Sequence, residues 1–269
     1  MAAAVSPAQA EALVRRVTRY HDAGYVPHKP TPRQRAGLLL PHFEGLYGGA
    51  AGGGKSDWLL MAALQYVNVP GYSALLLRRT FPQLSKADGL IPRSHEWLAG
   101  TDAKWSAKDS TWHFPSGARL EFGHLQHETD KYNYQGAAYQ FVGFDELTQF
   151  SEGQYRYLIS RIRRPKESVG ALSSVPLRIR AGSNPGGVGH DWVKRRFLTD
   201  RTEERFFLPA RLTDNPHLDA DEYAKGLALL DPVTRKQLLE GDWSARKAGG
   251  YFKREWIDIV DEVPAGAKR

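Results

Sequence analysis

Cysteine is absent from the 269-residue chain, and methionine occurs only twice. The absence of thiols excludes disulfide bonds, thiolate zinc sites and a cysteine nucleophile. Long apolar runs are also lacking, since stretches such as 58–64 and 74–77 are far shorter than the ~20 residues that cross a bilayer. The first ten residues carry no basic group and therefore do not look like a secretory signal. We expect no membrane partner.

The chain has an ordinary globular composition with a basic excess. Hydrophobic residues make up 41% and charged residues 25%, which is typical of a folded protein. The length fits one large α/β domain or two small ones. Lysine and arginine number 37 against 30 acidic residues, which gives a net charge of +7. This excess favours a polyanionic partner, and nucleic acid is the first class to consider.

Apolar patterns along the chain alternate between strand and helix periods. Strands are predicted at 45–47, 73–77, 139–144 and 177–181, and a hairpin at 111–114 and 118–122. Helices are predicted at 13–20, 33–42, 56–67, 89–98, 152–162, 191–197 and 219–240, the last broken near Asp231 and Pro232. This alternation predicts an α/β fold with a mainly parallel central sheet flanked by helices on both faces.

A glycine-rich segment lies between the strand at 45–47 and the helix that follows it. The segment reads Gly49-Ala50-Ala51-Gly52-Gly53-Gly54-Lys55-Ser56 and fits G-x-x-x-x-G-K-[ST] at every fixed position. Glycines let backbone N–H groups wrap a phosphate chain, and the positive end of the following helix points at it. Lys55 adds a charge for the β- and γ-phosphates, and the Ser56 hydroxyl suits Mg²⁺. We predict that this segment binds a nucleoside triphosphate.

Two carboxylates follow the predicted strand at 139–144. Beside a phosphate loop, Asp145 is expected to hold Mg²⁺ through water, and Glu146 is expected to polarise the attacking water. This pair predicts a hydrolase, because water then serves as the acceptor. Ser183 and Asn184 lie at the end of the next strand and are candidate sensors of the γ-phosphate or of the attacking water. In the alternative interpretation, 182–187 forms a turn that needs no ligand.

Together these segments resemble the ATPase domain of the large terminase subunit of tailed bacteriophages, the motor that packs DNA into a prohead. Segments 48–56, 141–146 and 182–187 resemble that family's Walker A loop, Walker B strand and coupling motif. Segments 76–84 and 241–243 are similar to the regions after its second strand and before its nuclease link. Segment 30–34 is similar to its adenine-recognising segment, which implies that Gln34 reads the base. The resemblance implies a P-loop NTPase of the additional-strand type that hydrolyses ATP with Mg²⁺.

The same resemblance implies the partners of the protein. They are double-stranded DNA, the small terminase subunit and the portal protein, on which a homo-oligomeric ring of this chain assembles. We expect the protein to act in the cytoplasm of the infected bacterial host and not to be a component of the mature virion. Lys194, Arg195 and Arg196 form a basic run suited to DNA phosphates, although a solvated face is the alternative for such a run. Alternative functions are a helicase-like or remodelling ATPase and an assembly switch without repeated turnover, and Glu146 argues against the switch.

The chain departs from the family pattern in two places. The variable positions of its Walker A loop hold no arginine, although many terminases carry one there. We therefore expect a neighbouring subunit to supply the missing charge, with Lys131 as a first candidate and Arg78, Arg79, Arg161 and Arg163 as others. The chain also ends at Arg269 without the usual nuclease, so we expect no DNA cleavage. Residues 1–245 are then the ATPase domain with an N-terminal helical extension, and 246–269 a linker toward an absent nuclease domain.

Overall fold

A computed structural model of the protein describes residues 24–164 and 170–245. The predicted helix at 13–20 and the predicted linker at 246–269 lie outside these residues. In the two described ranges, no helix is long and apolar enough to cross a membrane.

The strands form one eight-stranded sheet. They are β1 (Glu44–Gly49), β2 (Ser73–Arg78), β3 (Lys104–Ser106), β4 (Thr111–His113), β5 (Arg119–His124), β6 (Phe141–Asp145), β7 (Arg178–Ser183) and β8 (Arg205–Ala210). Their order is β3-β4-β5-β2-β6-β7-β1-β8, and only the pairings of β4 with β3 and β5 are antiparallel. β1 leads into the glycine-rich loop, and β6 ends at Asp145. β7 lies between these two strands, so one additional strand separates them. The predicted additional-strand fold class is confirmed.

The described part of the chain contains eight α-helices. They are α1 (Pro32–Leu39), α2 (Lys55–Leu64), α3 (Phe81–Ser85), α4 (Leu90–Leu98), α5 (Glu152–Ile159), α6 (His190–Lys194), α7 (Ala220–Ala228) and α8 (Pro232–Arg235). Thr31, Ser151 and Asp219 accept hydrogen bonds from N–H groups in the first turns of α1, α5 and α7. Asp231 does the same before α8, so the predicted helix break at Pro232 is confirmed.

Alternate residues of the central strands pack into two separate cores. In β2, Leu76 joins a core that contains Trp58 of α2. The next residue, Leu77, joins a second core that contains Tyr155 of α5 and Trp192 of α6. Successive residues of a strand point to opposite faces of the sheet, so helices cover both faces. This part of the prediction is also confirmed.

The sequence does not predict β8, which pairs with β1 at one edge of the sheet. This strand contains Arg205 and Pro209, and three of its six residues are only half-buried. Proline lacks the N–H that a central strand needs and is confined to positions such as an edge strand. The apolar run in this segment is only 206–208, which lies between Arg205 and Pro209. It matters for the site because its last residue, Ala210, contacts the glycine-rich loop.

Candidate functional site

The glycine-rich loop and the two predicted carboxylates meet at one edge of the sheet. β1 ends at Gly49, β6 at Asp145 and β7 at Ser183. These strands are parallel neighbours, so their carboxyl ends lie side by side. Ligands of open α/β sheets bind in the crevice outside these ends. The fold thus brings together motifs that are far apart in the sequence.

A cavity of about 400 Å³ opens at this edge. It is lined by residues 51–57, by Asp88, Leu90 and Arg93 around the start of α4, by Glu146 and Asn184, and by Asn215, Leu218 and Tyr223. Six of the eight predicted loop residues therefore share one space with the predicted catalytic carboxylate and the predicted sensor. The volume falls in the usual range for small-molecule sites.

Two glycines allow the loop to follow its course. Gly49 has φ of 142°, and a Cβ at this position would lie 2.5 Å from the carbonyl oxygen of Ala210. Gly54 has φ of 71° and immediately precedes α2. Any other residue would be strained at both positions. The loop conformation therefore depends on the glycines that the motif specifies.

The first loop residues anchor the loop to the protein. The N–H of Ala50 donates to the carbonyl oxygen of Ala210 at 2.9 Å, and the N–H of Ala51 donates to that of Leu238 at 2.7 Å. Gly49 and Ala50 do not line the cavity. The N–H groups of residues 49–51 already have acceptors or lie away from the cavity. Within the predicted phosphate-binding segment 49–56, residues 52–56 are therefore the ones whose N–H groups can bind a phosphate.

Lys55 is buried at the start of α2. Its Nζ donates to the carbonyl oxygen of Ala50 at 2.6 Å, so the side chain folds back along the loop. Burial lowers the pKa of the Lys55 ammonium, and the charges of Glu146 and Asp145 oppose this shift. The ammonium therefore lies beside the loop that is expected to hold the phosphates.

Asp145 is buried between a hydroxyl group and a guanidinium. Ser56 Oγ donates to Asp145 Oδ1 at 3.1 Å, and Arg78 Nε forms an ion pair with Oδ2 at 2.8 Å. Hydroxyl and carboxylate oxygens are the hard ligands that Mg²⁺ prefers, so this pair fits the predicted metal site. Arg78 is engaged in the site of its own chain, and the expectation that it serves a neighbouring subunit does not fit the structure.

Glu146 has a backbone conformation that is uncommon for a residue with a Cβ. Its φ and ψ are 58° and 58°, in the left-handed region that clusters at functional sites in non-glycine residues. Burial raises the pKa of the Glu146 carboxyl, the charge of Asp145 adds to the rise, and Lys55 and Arg78 oppose it. A carboxylate of raised pKa is a stronger base, which suits the predicted role in activating water.

Asn184 connects the end of β7 to the glycine-rich loop. Its Nδ2 donates to the carbonyl oxygen of Gly49 at 2.7 Å, and the residue also lines the cavity. The preceding residue, Ser183, is buried, and its Oγ accepts from the N–H of Thr148 at 3.1 Å. The turn is thus hydrogen-bonded without a ligand, as in the alternative interpretation. The sensor role of Asn184 stays a prediction.

Gln34 does not line the cavity. It is buried in the first turn of α1, where its Oε1 accepts from the N–H of Thr31 at 2.9 Å. Its Nε2 donates to the carbonyl oxygen of Gly54 at 2.8 Å. Both ends of the amide are engaged, so the prediction that Gln34 reads adenine does not fit this arrangement. Gln34 instead ties α1 to the last glycine of the loop, while its contact with Thr31 is a capping box.

The other basic candidates for a finger lie outside the cavity of their own chain. Their contacts are Lys131 with Glu128, Arg79 with Gln154, Arg161 with the ring of Tyr157, and Arg163 with the carbonyl oxygen of Gly136. A residue that acts on a neighbouring subunit has to lie outside its own site. These residues therefore remain candidates.

The cavity contains one basic residue that the sequence reasoning missed. Arg93 lies in α4 and lines the cavity beside Asp57 and Asp88. Its Nε is 3.5 Å from Asp57 Oδ1, and its Nη2 is 3.2 Å from Asp88 Oδ1. Arg93 belongs to no sequence motif, and only the packing of α4 against α2 brings it to the loop.

The predicted DNA-binding run divides into two environments. Arg196 donates from Nε and Nη2 to the carboxylate of Glu44 at 2.7 and 2.8 Å, and Arg205 contacts the same carboxylate. The prediction that Arg196 contacts DNA does not fit this ion pair, because the guanidinium is held inside the fold. Lys194 is half-buried, whereas Arg195 is exposed and pairs with Glu152 at 3.0 Å. The candidate DNA surface is reduced to these two residues.

Solved structures with a similar fold include phage large terminases. The large terminase of a thermophilic bacteriophage, solved in complex with ADP, is 15% identical, with a TM-score of 0.58, covering 86% of this chain and 52% of that chain. The HK97 bacteriophage large terminase is 10% identical, with a TM-score of 0.63, covering 85% and 55%. The large terminase ATPase domain of Thermus phage P74-26 is 13% identical, with a TM-score of 0.55, covering 81% and 96%. These identities show a shared fold, and this chain spans about half the length of the first two proteins.

No curated protein matches the chain in sequence. A family model described as "Terminase large subunit, T4likevirus-type, N-terminal" matches residues 46–259. This range is most of the chain and contains the glycine-rich loop, both carboxylates and Asn184. The chain therefore belongs to the family of large terminase subunits, and it matches their N-terminal part.

Proposed function

We propose that the protein is an ATPase that hydrolyses ATP with Mg²⁺ and couples hydrolysis to the translocation of double-stranded DNA into a viral prohead. The observation that carries this proposal is the meeting of the glycine-rich loop, Lys55, Ser56, Asp145 and Glu146 at the carboxyl edge of a parallel sheet. Membership of the large terminase family supports it. So does a fold shared with a terminase that was solved in complex with ADP.

Each of the chain's polar groups at this edge has a separate task in the proposed reaction. The loop from Gly52 to Ser56 holds the phosphate chain through backbone N–H groups, and Lys55 neutralises the β- and γ-phosphates. Ser56 and Asp145 hold Mg²⁺, which supplies charge neutralisation and orientation of the phosphates when bound. Glu146 accepts the proton of the attacking water, which its raised pKa favours. Asn184 hydrogen-bonds to the γ-phosphate or to that water.

The proposed motor contacts DNA without reading its sequence. Lys194 and Arg195 contribute phosphate contacts, so affinity should fall steeply as salt rises. The proposed assembly is a homo-oligomeric ring on a portal protein, fed by a small terminase subunit in the cytoplasm of the infected host. In that ring, Lys131 of one subunit supplies the transition-state charge to the next. Residues 1–245 are the proposed motor domain and 246–269 the proposed linker.

The test compares two variants with the wild-type protein in a multiple-turnover ATPase assay, with and without double-stranded DNA. Glu146→Gln should keep nucleotide binding and lose hydrolysis, because it removes the base and preserves the shape of the side chain. Lys55→Ala should lose tight triphosphate binding, because the loop loses its own cation.

A wild-type hydrolysis rate in Glu146→Gln would show that the catalytic assignment is wrong. Strand displacement by the wild-type protein would indicate a helicase. Binding of one ATP without repeated turnover would indicate an assembly switch.

A further inference from the structure

A second positive charge lies in the nucleotide cavity of this chain. Of the residues that line the cavity, Lys55 and Arg93 are basic, and Asp57, Asp88 and Glu146 are acidic. A triphosphate that enters this space meets three carboxylates and two cations. The glycine-rich loop contributes only one of these cations, because its variable positions are alanine and glycine.

The contacts of Arg93 are long and are shared among several carboxylates. Its Nε is 3.5 Å from Asp57, its Nη2 is 3.2 Å from Asp88, and its Nη1 is 3.5 Å from Glu96. Close charge-assisted hydrogen bonds between such groups measure about 2.7–2.9 Å. The side chain of Asp88 is 86% exposed and that of Glu96 is 61% exposed. Water therefore screens both partners, and little holds the guanidinium in its present position.

The position of Arg93 brings its guanidinium close to the predicted phosphate site. Asp57, which Arg93 contacts, directly follows Ser56 in the first turn of α2. Ser56 in turn contacts Asp145. Arg93 lies in the first turns of α4, and its 32% exposed side chain faces the cavity. A guanidinium carries a planar fork of donors that matches two phosphate oxygens at once.

We propose that Arg93 is a phosphate-binding residue that leaves Asp57 and Asp88 for the triphosphate when the nucleotide binds. This inference rests on the proposed function and names a ligand contact that no sequence motif identifies. Arg93 then adds a second positive charge to the phosphate site from within the chain. Asp88 opposes nucleotide binding, because its carboxylate competes with the phosphates for the same guanidinium.

The test measures the affinity of the whole chain for ATPγS and ADP by calorimetry in EDTA, so that no divalent cation contributes. Arg93→Gln should weaken ATPγS binding about tenfold, since it removes one charge-assisted contact. Asp88→Asn should strengthen ATPγS binding severalfold. Asp88 has a left-handed backbone with φ of 59°, which asparagine adopts readily, so this variant is expected to fold normally. Arg156→Gln is the matched control, because Arg156 is exposed, pairs with Glu152 and does not line the cavity.

The opposite effects of the two variants distinguish phosphate binding from a structural role. An Arg93→Gln protein that binds ATPγS like the wild type would overturn the inference, and so would weaker binding in Asp88→Asn. A larger loss for ATPγS than for ADP would support contact with the γ-phosphate, and an equal loss would support contact with the inner phosphates. If the wild-type protein binds ATPγS neither in EDTA nor with Mg²⁺ added, the proposed function fails; if it binds only with Mg²⁺, the variants are compared with Mg²⁺ present. If the wild type binds and both variants match it, only the role of Arg93 fails.

Discussion

Replacing Arg196 with glutamine should destabilise the protein, whereas the same change in the neighbouring Arg195 should not. Arg196 makes two hydrogen bonds to Glu44, and the two side chains are only 14% and 4% exposed. Arg195 makes one contact with Glu152, and its side chain is 57% exposed. The two arginines are adjacent in sequence, so the comparison isolates the effect of burial.

The expected size of each effect follows from this difference. Breaking a buried ion pair by removing one partner costs about 3–5 kcal/mol, because a charge is left without compensation. Glu44 keeps the hydroxyl of Tyr155 at 2.8 Å and the guanidinium of Arg205 at 3.2 Å, so we expect the lower end, about 3 kcal/mol. An exposed pair contributes about 0–1 kcal/mol. At ~2–4 °C per kcal/mol, Arg196→Gln should lower Tm by roughly 6–12 °C.

Chemical denaturation at pH 7 measures both free energies of unfolding, and DNA titrations at several salt concentrations complete the comparison. The logarithm of DNA affinity falls linearly with the logarithm of salt concentration, and the slope reflects the number of phosphate contacts. Arg195→Gln should reduce this slope by about one unit if Arg195 contacts a phosphate. Arg196→Gln should leave that slope unchanged under conditions where it is folded. If the free energy of unfolding of Arg196→Gln lies within about 1 kcal/mol of the wild-type value, the structural role of Arg196 is refuted.

The stabilisation by Glu44 should also depend on pH. Burial alone would raise the pKa of the Glu44 carboxyl, but the hydrogen bonds from Arg196, Tyr155 and Arg205 outweigh burial and lower it. A lowered pKa in the folded state means that the contribution is complete above the usual glutamate value and is lost as pH falls through the folded pKa. The stability difference between the wild type and Arg196→Gln should therefore be constant near neutral pH and shrink in acid.

Three further predictions follow from the site. Gln34→Ala should cost about 1–3 kcal/mol in the free energy of unfolding, because it leaves buried hydrogen-bonding groups unpaired; a changed preference between ATP and GTP without this loss would support base reading instead. ATP hydrolysis should fall in acid, because Glu146 must be ionised to accept a proton from water; a rate that is flat down to pH 4 would contradict this. Turnover by the wild-type protein should rise with protein concentration, and Lys131→Ala should slow turnover while an excess of Glu146→Gln subunits restores it; activity per site that is independent of concentration would exclude a charge supplied by the neighbour.

Most of the central strands, the main helices and the glycine-rich loop could be predicted from the sequence, because they depend on local patterns. The run at 73–77 is long enough and apolar enough to specify a buried strand, and β2 spans Ser73–Arg78. The glycines at 49 and 54 are required by backbone angles that few other residues adopt. Cap residues such as Ser151 and Asp231 likewise determine where helices begin through contacts within three residues. Such features need no knowledge of the tertiary structure.

The partners of individual polar side chains were decided only by tertiary packing. Gln34 looks like a free amide in sequence, but the packing of α1 against the loop engages both of its ends. Arg196 looks like its neighbours in a basic run, yet Glu44 lies 152 residues away and is brought beneath it by the sheet. Arg93 reaches the cavity because α4 packs against α2, a contact that no periodic pattern encodes. The sequence therefore specified the scaffold and the glycine-rich loop. Charge and burial depend on neighbours that are distant in the chain, so the tertiary structure decided which charges face the cavity.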